Sequence, residues 1–400
     1  MSLITFNSQD RILILAPHPD DEVLGTGGII QEAVRLNLPL RIAFLTYGDS
    51  NEWSFLLYRR HPVLPRGARK MGLVRHDEAI EAARTLGVTA QQLTFLGYPD
   101  FGTLDIWCCH WGDRQPAESI LTRSKSVPYP NAFRPGAPYK GEEILADLER
   151  VLLEFKPTRI FVSHPGDHNP DHKALYLFLR IALWDREGEL SSAVHPCLVH
   201  HRHWPEPRGF RPGDRLIPPR EFESQIEWQN FDLDPGEVER KHDALKMHRS
   251  QYRASRKYLL SFVRSNELFG DFPETALPLG REEWLVRLIE GRIVISIRTP
   301  RPLGKEVGAS VYIFGYRKDV PFQEMPKLHI KLGEFEHKVF DQDRALEAGA
   351  IDVQRRAQGL ALEVPLKLLG DPERILTSAH TYFLNIVPLE GGSWRVLGIT

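Results

Sequence analysis

The sequence predicts an α/β domain, with a mostly parallel sheet packed between helices, followed by a mainly antiparallel β module. Three observations carry that expectation. From Arg11 to about His200, short β-rich runs alternate with longer stretches of helical periodicity, the pattern of strands joined by crossover helices. The run Ile12 to Leu15 is apolar at every position, as a strand buried on both faces requires. After Phe272-Pro273 the helical stretches cease, and β-prone segments follow one another between turn formers.

Taken in order, Ile12 to Ala16, Leu40 to Tyr47, Gln92 to Leu96, Arg159 to Ser163 and Cys197 to His200 read as strands. Ile29 to Arg35, Lys70 to Leu86, Gly141 to Phe155 and His172 to Trp184 read as helices, the second closed by Gly87. Between Gly97 and Tyr139 the chain is rich in Pro, Gly, Trp and Asp and lacks periodicity, which suits the wall of an active site. A polar, Pro-rich segment, His203 to Arg220, precedes a strand at Gln225 to Phe231. Glu237 to Arg264 then reads as one long helix, with Asp234-Pro235-Gly236 at its start. The later β-prone segments are Arg292 to Thr299, Ser310 to Tyr316, Leu328 to Leu332, Ala361 to Leu366, Thr381 to Pro388 and Trp394 to Ile399. The expected division is a first domain over 1–272 and an accessory sandwich-like β domain over 275–400.

A chain of 400 residues with 42% hydrophobic composition fits more than one domain and a sizeable core. Lys plus Arg number 51 against 53 Asp plus Glu, a formal charge of -2, so the balance excludes a general polyanion binder and no nucleic-acid partner is expected. No window is apolar enough for a transmembrane segment, and Met1 to Asn7 lacks the features of a secretory signal, so a cytoplasmic location is expected. Three cysteines cannot build a disulfide framework, and the adjacent Cys108-Cys109 lacks metal-ligand spacing.

The chemistry is expected in the first domain, where Pro17-His18-Pro19-Asp20-Asp21-Glu22 follows the apolar run at a strand end. A metal that activates water wants a few nitrogen or oxygen ligands, an open position and a carboxylate to take the proton. His18 and Asp21 are spaced to converge on one ion across a tight turn, which leaves Asp20 to face the water. The competing reading is that these residues cap a helix and bond to backbone. Gly25-Thr26-Gly27-Gly28 invites a nucleotide reading, but its order is neither the dinucleotide fingerprint nor a P-loop, and the acidic cluster before it would repel a pyrophosphate.

A second constellation, His164-Pro165-Gly166-Asp167-His168-Asn169-Pro170-Asp171-His172, follows the strand ending near Ser163 and in a parallel sheet can meet the first across one crevice. His172 at a helix start suits completion of a His/Asp/His metal set. Asp171 suits capping that helix or orienting a histidine ring.

With both motifs in place, the chain resembles the PIG-L (LmbE-like) family of zinc-dependent N-acetylglucosamine deacetylases over about residues 10–270. Arg75-His76-Asp77-Glu78, Phe95-Leu96-Gly97-Tyr98-Pro99-Asp100 and the set Lys241, Ala244, His248, Ser250 and Gln251 add to the resemblance. It implies a Rossmann-like three-layer domain, with His18, Asp21 and His172 as ligands of Zn2+, Asp20 as general base and Asp171 tuning the neighbouring imidazole system. Arg75 and Glu78 stand where the family keeps an Arg-x-x-Glu pair near the site, for substrate contact or structural support.

Asn169 departs from the pattern, standing where many members have a histidine. Asparagine offers a hydrogen bond to an oxyanion but no ionisable proton, so His168, His164 or Asp20 is expected to supply that proton. The implied activity is removal of an acetyl group from an N-acetylated sugar, glycoside or glycolipid head group. Trp107, Trp111 and Arg114, in the long insertion, are candidate sugar contacts, and a folded loop core explains the tryptophans equally well. A catalytically silent glycan-binding protein and a metal-dependent esterase or other amidase are the alternatives. A mixed His/carboxylate set also accepts iron, cobalt or manganese, and a homo-oligomer is left open.

Overall fold

The apolar run after Arg11 sits at the centre of its sheet. In this computed structural model, which describes residues 1–50, 64–276, 279–280, 284–298, 307–333, 336–356, 359–383 and 387–399, a two-residue β1 (Ser2–Leu3) precedes β2 (Ile12–Ala16). With β3 (Leu40–Thr46), β4 (Leu93–Tyr98), β5 (Arg159–Ser163) and β6 (Ala193–Cys197), β2 forms a five-stranded sheet ordered β4-β3-β2-β5-β6. Every pairing in it is parallel. All five β2 residues are buried, because α1 (Asp21–Arg35), α2 (Pro65–Thr85), α3 (Thr103–Cys109), α4 (Gly141–Phe155) and α5 (Pro170–Asp185) supply the covering layers of an α/β, Rossmann-like fold. A smaller sheet pairs β1 in parallel with β7 (Gln229–Asp232), which runs antiparallel to β8 (Asn266–Phe269).

Three expectations shift. β6 lies four residues earlier than Cys197 to His200, and it is an edge strand, so Pro196 within it costs no interior ladder bond. The stretch expected to be irregular between Gly97 and Tyr139 contains α3. The single long helix from Glu237 is two helices, α6 (Pro235–Met247) and α7 (Arg249–Leu259), interrupted at His248 with ψ 59°. Its imidazole Nε2 meets Glu22 Oε1 at 2.8 Å, while Ser250 N, two residues on, donates to Glu78 Oε1 at 2.9 Å. Both polar partners lie off the helix, and they take the place of helix continuation.

α1 begins at Asp21, eight residues before the expected start, and is kinked at Thr26 (φ -139°). The backbone groups freed by the kink find side-chain partners. Gly28 N and Ile29 N donate to the Glu267 carboxylate at 2.8 and 3.2 Å, and Lys241 Nζ donates both to Leu24 O at 3.0 Å and to Glu267 Oε1 at 2.6 Å. The glycines of this turn serve packing. A methyl group at Gly25 would stand 2.6 Å from Cys197 Sγ, and one at Gly28 would stand 2.9 Å from the Leu233 side chain.

Packing divides the chain into a unit of Met1–His110 with Arg114–Asp271 and a second of Trp111–Asp113 with Phe272–Thr400. The second unit holds a five-stranded antiparallel sheet and an eight-stranded sheet, antiparallel except where Arg395–Gly398 pairs in parallel with Thr275–Ala276. One buried cluster draws Val286, Ile293 and Leu362 from the first sheet and Val311, Ile330 and Ile375 from the second. Thr299 and residues 384–386, parts of two expected strands, lie outside the described residues.

Candidate metal centre

The strand order reverses at β2, whose neighbours are β3 on one side and β5 on the other, so the segments leaving β2 and β5 emerge side by side at the carboxyl edge of the sheet. That edge brings the two motifs together. His18 Nδ1 lies 3.0 Å from Asp21 Oδ2, and His172 Nε2 lies 3.1 Å from the same oxygen. All three side chains are buried, with ligand atoms within 4.8 Å of one another. Neither ring nitrogen of His172, for all its closeness to a carboxylate, satisfies a hydrogen bond. Two imidazoles and a carboxylate aimed at one point, with a buried nitrogen left unsatisfied, form a donor set that fits a divalent metal such as zinc.

Each histidine is held from behind by a carboxylate. His18 Nε2 donates to Asp171 Oδ2 at 3.0 Å, and Asp171 also accepts from Phe101 N at 2.5 Å and from Thr103 N at 3.0 Å. A proton kept on Nε2 by Asp171 makes Nδ1, beside Asp21, the nitrogen that can give up its proton to a metal. His172 Nδ1 lies 3.1 Å from Asp167 Oδ2, an oxygen that also accepts from Val199 N at 3.0 Å and His200 N at 2.8 Å. Asp171 therefore serves His18 across the crevice, and Asp167 serves its own motif's His172. A second buried group, His18, Asp100 and Asp171, shares His18, with Asp100 Oδ1 3.0 Å from Nε2.

Burial and these close charges set the protonation. Burial opposes the charged form of His172, but Asp167 and Asp21 outweigh it and hold its pKa up to about 9. Burial likewise opposes ionisation of Asp21, yet His172 and His18 draw its carboxyl well below the usual range. Asp20 is pushed up to about 7, chiefly by burial, with Asp21 adding repulsion against the pull of Arg75.

Asp20 sits at the N-cap of α1 with φ 126°, a conformation rare for a side-chain-bearing residue. Its backbone N–H donates to Glu22 Oε2 at 2.8 Å, and Glu22 is in turn paired with His248. Arg75 braces the other side, donating to Pro19 O at 2.6 Å, Gly48 O at 2.9 Å and Asp20 Oδ1 at 3.3 Å. The expected base is thereby fixed beside the three expected ligands.

The remaining expectations fare differently. Glu78 does not reach the triad, because its two oxygens accept from Ser250 N and Oγ at 2.9 and 2.7 Å. Trp107 is fully buried edge-on to Phe178. Trp111 is fully buried in the second unit, edge-on to Phe322 and beneath Lys327 Nζ. Neither tryptophan offers a face to a sugar. Arg114 is half-buried. Asn169 caps α5, its Oδ1 accepting from Asp171 N at 2.9 Å. His168 is exposed with its ring 4.8 Å from that of His201, and His164 is enclosed by Phe222 and Trp228. Sequence reasoning assigned no role to Asp100, Asp167, Glu22 or His248. Their signal was position, since each lies inside or beside a quoted motif.

The PIG-L family model, described as GlcNAc-PI de-N-acetylase, matches residues 13–183. Residues 13–183, nearly all in the first unit, are thus similar to the PIG-L family. Over 164 residues, 40% of this chain and 46% of the relative, the sequence is 30% identical to a 1D-myo-inositol 2-acetamido-2-deoxy-alpha-D-glucopyranoside deacetylase of Mycobacterium sp. (strain KMS). It is 24% identical over 184 residues, 45% of this chain and 64% of the relative, to a probable N-acetyl-alpha-D-glucosaminyl L-malate deacetylase 2 of Bacillus subtilis (strain 168). The chain spans about half the length of the curated relatives it matches. Among solved structures, the N,N'-diacetylchitobiose deacetylase from Pyrococcus horikoshii is 18% identical with a TM-score of 0.39, covering 64% of this chain and 79% of that one. The PIG-L match takes in His18, Asp21 and His172, and it ends before His248 and the β strands of the second unit.

Proposed function

We propose that the first unit is a zinc-dependent N-deacetylase that hydrolyses the acetamide of an N-acetylated sugar in a glycoside or glycolipid head group. The observation that carries this reading is the convergence of His18, Asp21 and His172 with the braced carboxylate of Asp20 beside them. Zinc, held by those three side chains, supplies Lewis acidity toward water and an acyl oxygen. Asp20 accepts the proton of the attacking water, and burial keeps its proton affinity close to neutral pH, where a base can also give the proton back. That return delivers the proton to the departing nitrogen, so amide and water become acetate and a free amine. Asn169, with Oδ1 committed to the helix cap, offers only its amide N–H group to an acyl oxygen. Asp20 as a shuttle therefore replaces the ionisable ring missing at position 169.

The test combines metal analysis with assays of acetate and free amine across N-acetylated sugars, lipid-linked sugars and acetate esters. The expected outcome is one bound metal, release of amine from an N-acetyl sugar, and loss of both products in Asp20→Asn with metal content unchanged. Turnover that survives complete metal removal, or an Asp20→Asn variant as fast as the parent, would overturn the reading.

A further inference from the structure

With Trp107 and Trp111 buried, the exposed aromatic residue of this region among the described residues is Phe101, 52% accessible. Phe101 holds φ at 59°, the left-handed region that favours glycine and is strained for a bulky side chain. Two contacts keep it there. Its N–H donates to Asp171 Oδ2, the oxygen that also accepts from His18 Nε2, and its ring stacks on the His18 ring with centroids 6.3 Å apart and planes at 28°. Thr103, two residues on, gives both its N–H and its hydroxyl to Asp171 Oδ1. A lone exposed Phe is ordinary on a protein surface. A strained one, tied to the carboxylate that orients a metal ligand and stacked on that ligand's ring, is placed for use.

We propose that Phe101 is a specificity-determining residue whose ring receives the C–H face of a pyranose, which makes the substrate class a closed-ring N-acetylhexosamine and not an open-chain acetamide. This deepens the deacetylase reading and rests on it for the acetamide. The negative face of an aromatic ring attracts the weakly positive C–H groups of a sugar ring and sheds water on contact, while the polar groups of the site fix orientation.

The experiment measures binding, not turnover, on the full zinc-loaded chain in an Asp20→Asn background, by NMR titration with N-acetylglucosamine and with the open-chain probe N-acetylethanolamine. Phe101→Ala and Phe101→Gly should weaken N-acetylglucosamine by about 3- to 10-fold, the size of one aromatic contact, and leave the open-chain probe unchanged. Phe101→Trp should bind the sugar at least as well as Phe. Phe101→Gly should also hold or raise the melting temperature, by up to about 4 °C, because glycine relieves the strain; a ring needed only for packing predicts a fall. Equal losses for both probes, no loss for the sugar, no binding of N-acetylglucosamine by the Phe101 chain, or a lower melting temperature in Phe101→Gly would each overturn the proposal. A parent chain that binds the sugar in a Phe101-dependent way yet releases no acetate would sink the deacetylase reading and leave the Phe101 assignment standing.

Discussion

His18 and Asp171, 153 positions apart, meet at 3.0 Å through Nε2 and Oδ2. The contact fixes which nitrogen of His18 faces Asp21, so Asp171 bears on the proposed metal centre through the histidine. Asp171→Ala should lower zinc affinity about 10- to 100-fold, as loss of a carboxylate behind a ligating histidine does elsewhere. Competition with a chromogenic chelator reads this directly, and an unchanged affinity would remove Asp171 from the centre.

Metal binding should release protons. In the metal-free chain His172 holds its proton to about pH 9, and His18 is raised well above its ordinary value by Asp100, Asp171 and Asp21 against the cost of burial. A metal must displace those protons, so apparent affinity should rise with pH, and the share of the slope due to His172 should fade above about 9. Asp21 adds nothing to this slope, because its carboxyl is already ionised. Calorimetric titration in buffers of different ionisation enthalpy counts the protons.

Arg75→Lys keeps the charge and loses the fork that spans Pro19 O, Gly48 O and Asp20. Since a base misplaced by about 1 Å can cost about 100-fold, kcat should fall about 10- to 100-fold with zinc content intact. A variant that loses zinc in proportion to activity would show that Arg75 supports the fold of the site and not the aim of Asp20.

Lys241→Met should destabilise the first unit by about 3–5 kcal/mol, because Glu267 stays buried without its counter-charge and Leu24 O loses its donor. Urea unfolding followed by circular dichroism measures the change. A shift under about 1 kcal/mol would mean that Glu267 takes up a proton or water instead.

Gly25→Ala places a methyl group 2.6 Å from Cys197 Sγ. The single substitution should cost about 1–3 kcal/mol by overpacking, and Cys197→Ala should recover most of it. Failure of that rescue would assign the glycine to backbone conformation and not to close approach.

Much of the first unit was legible from periodicity alone. The strands Ile12 to Ala16 and Arg159 to Ser163 fall where they were expected, because short runs with an apolar centre, all of Ile12 to Ala16 and Ile160 to Val162, have few other places to go. The two motifs were legible as well, since each directly follows a strand and parallel strands bring their carboxyl ends to one edge. The helix running unbroken from Glu237 was misread because the residues that stop it, Glu22 and Glu78, are far away in sequence. Trp107 and Trp111 were misplaced for a related reason, since composition does not say which face of a loop is covered.

By itself, then, the order of residues determined the α/β class, the antiparallel strands that follow it, and His18, Asp20, Asp21 and His172 as the side chains to look for at one edge of the sheet. Tertiary structure alone decided that Asp171 serves His18 and Asp167 serves His172, that Arg75 braces Asp20, and that Phe101 stands exposed beside the site. The physical reason is range. Side-chain alternation and turn chemistry are set within a few residues, whereas the direction of a hydrogen bond depends on which distant backbone closes over it.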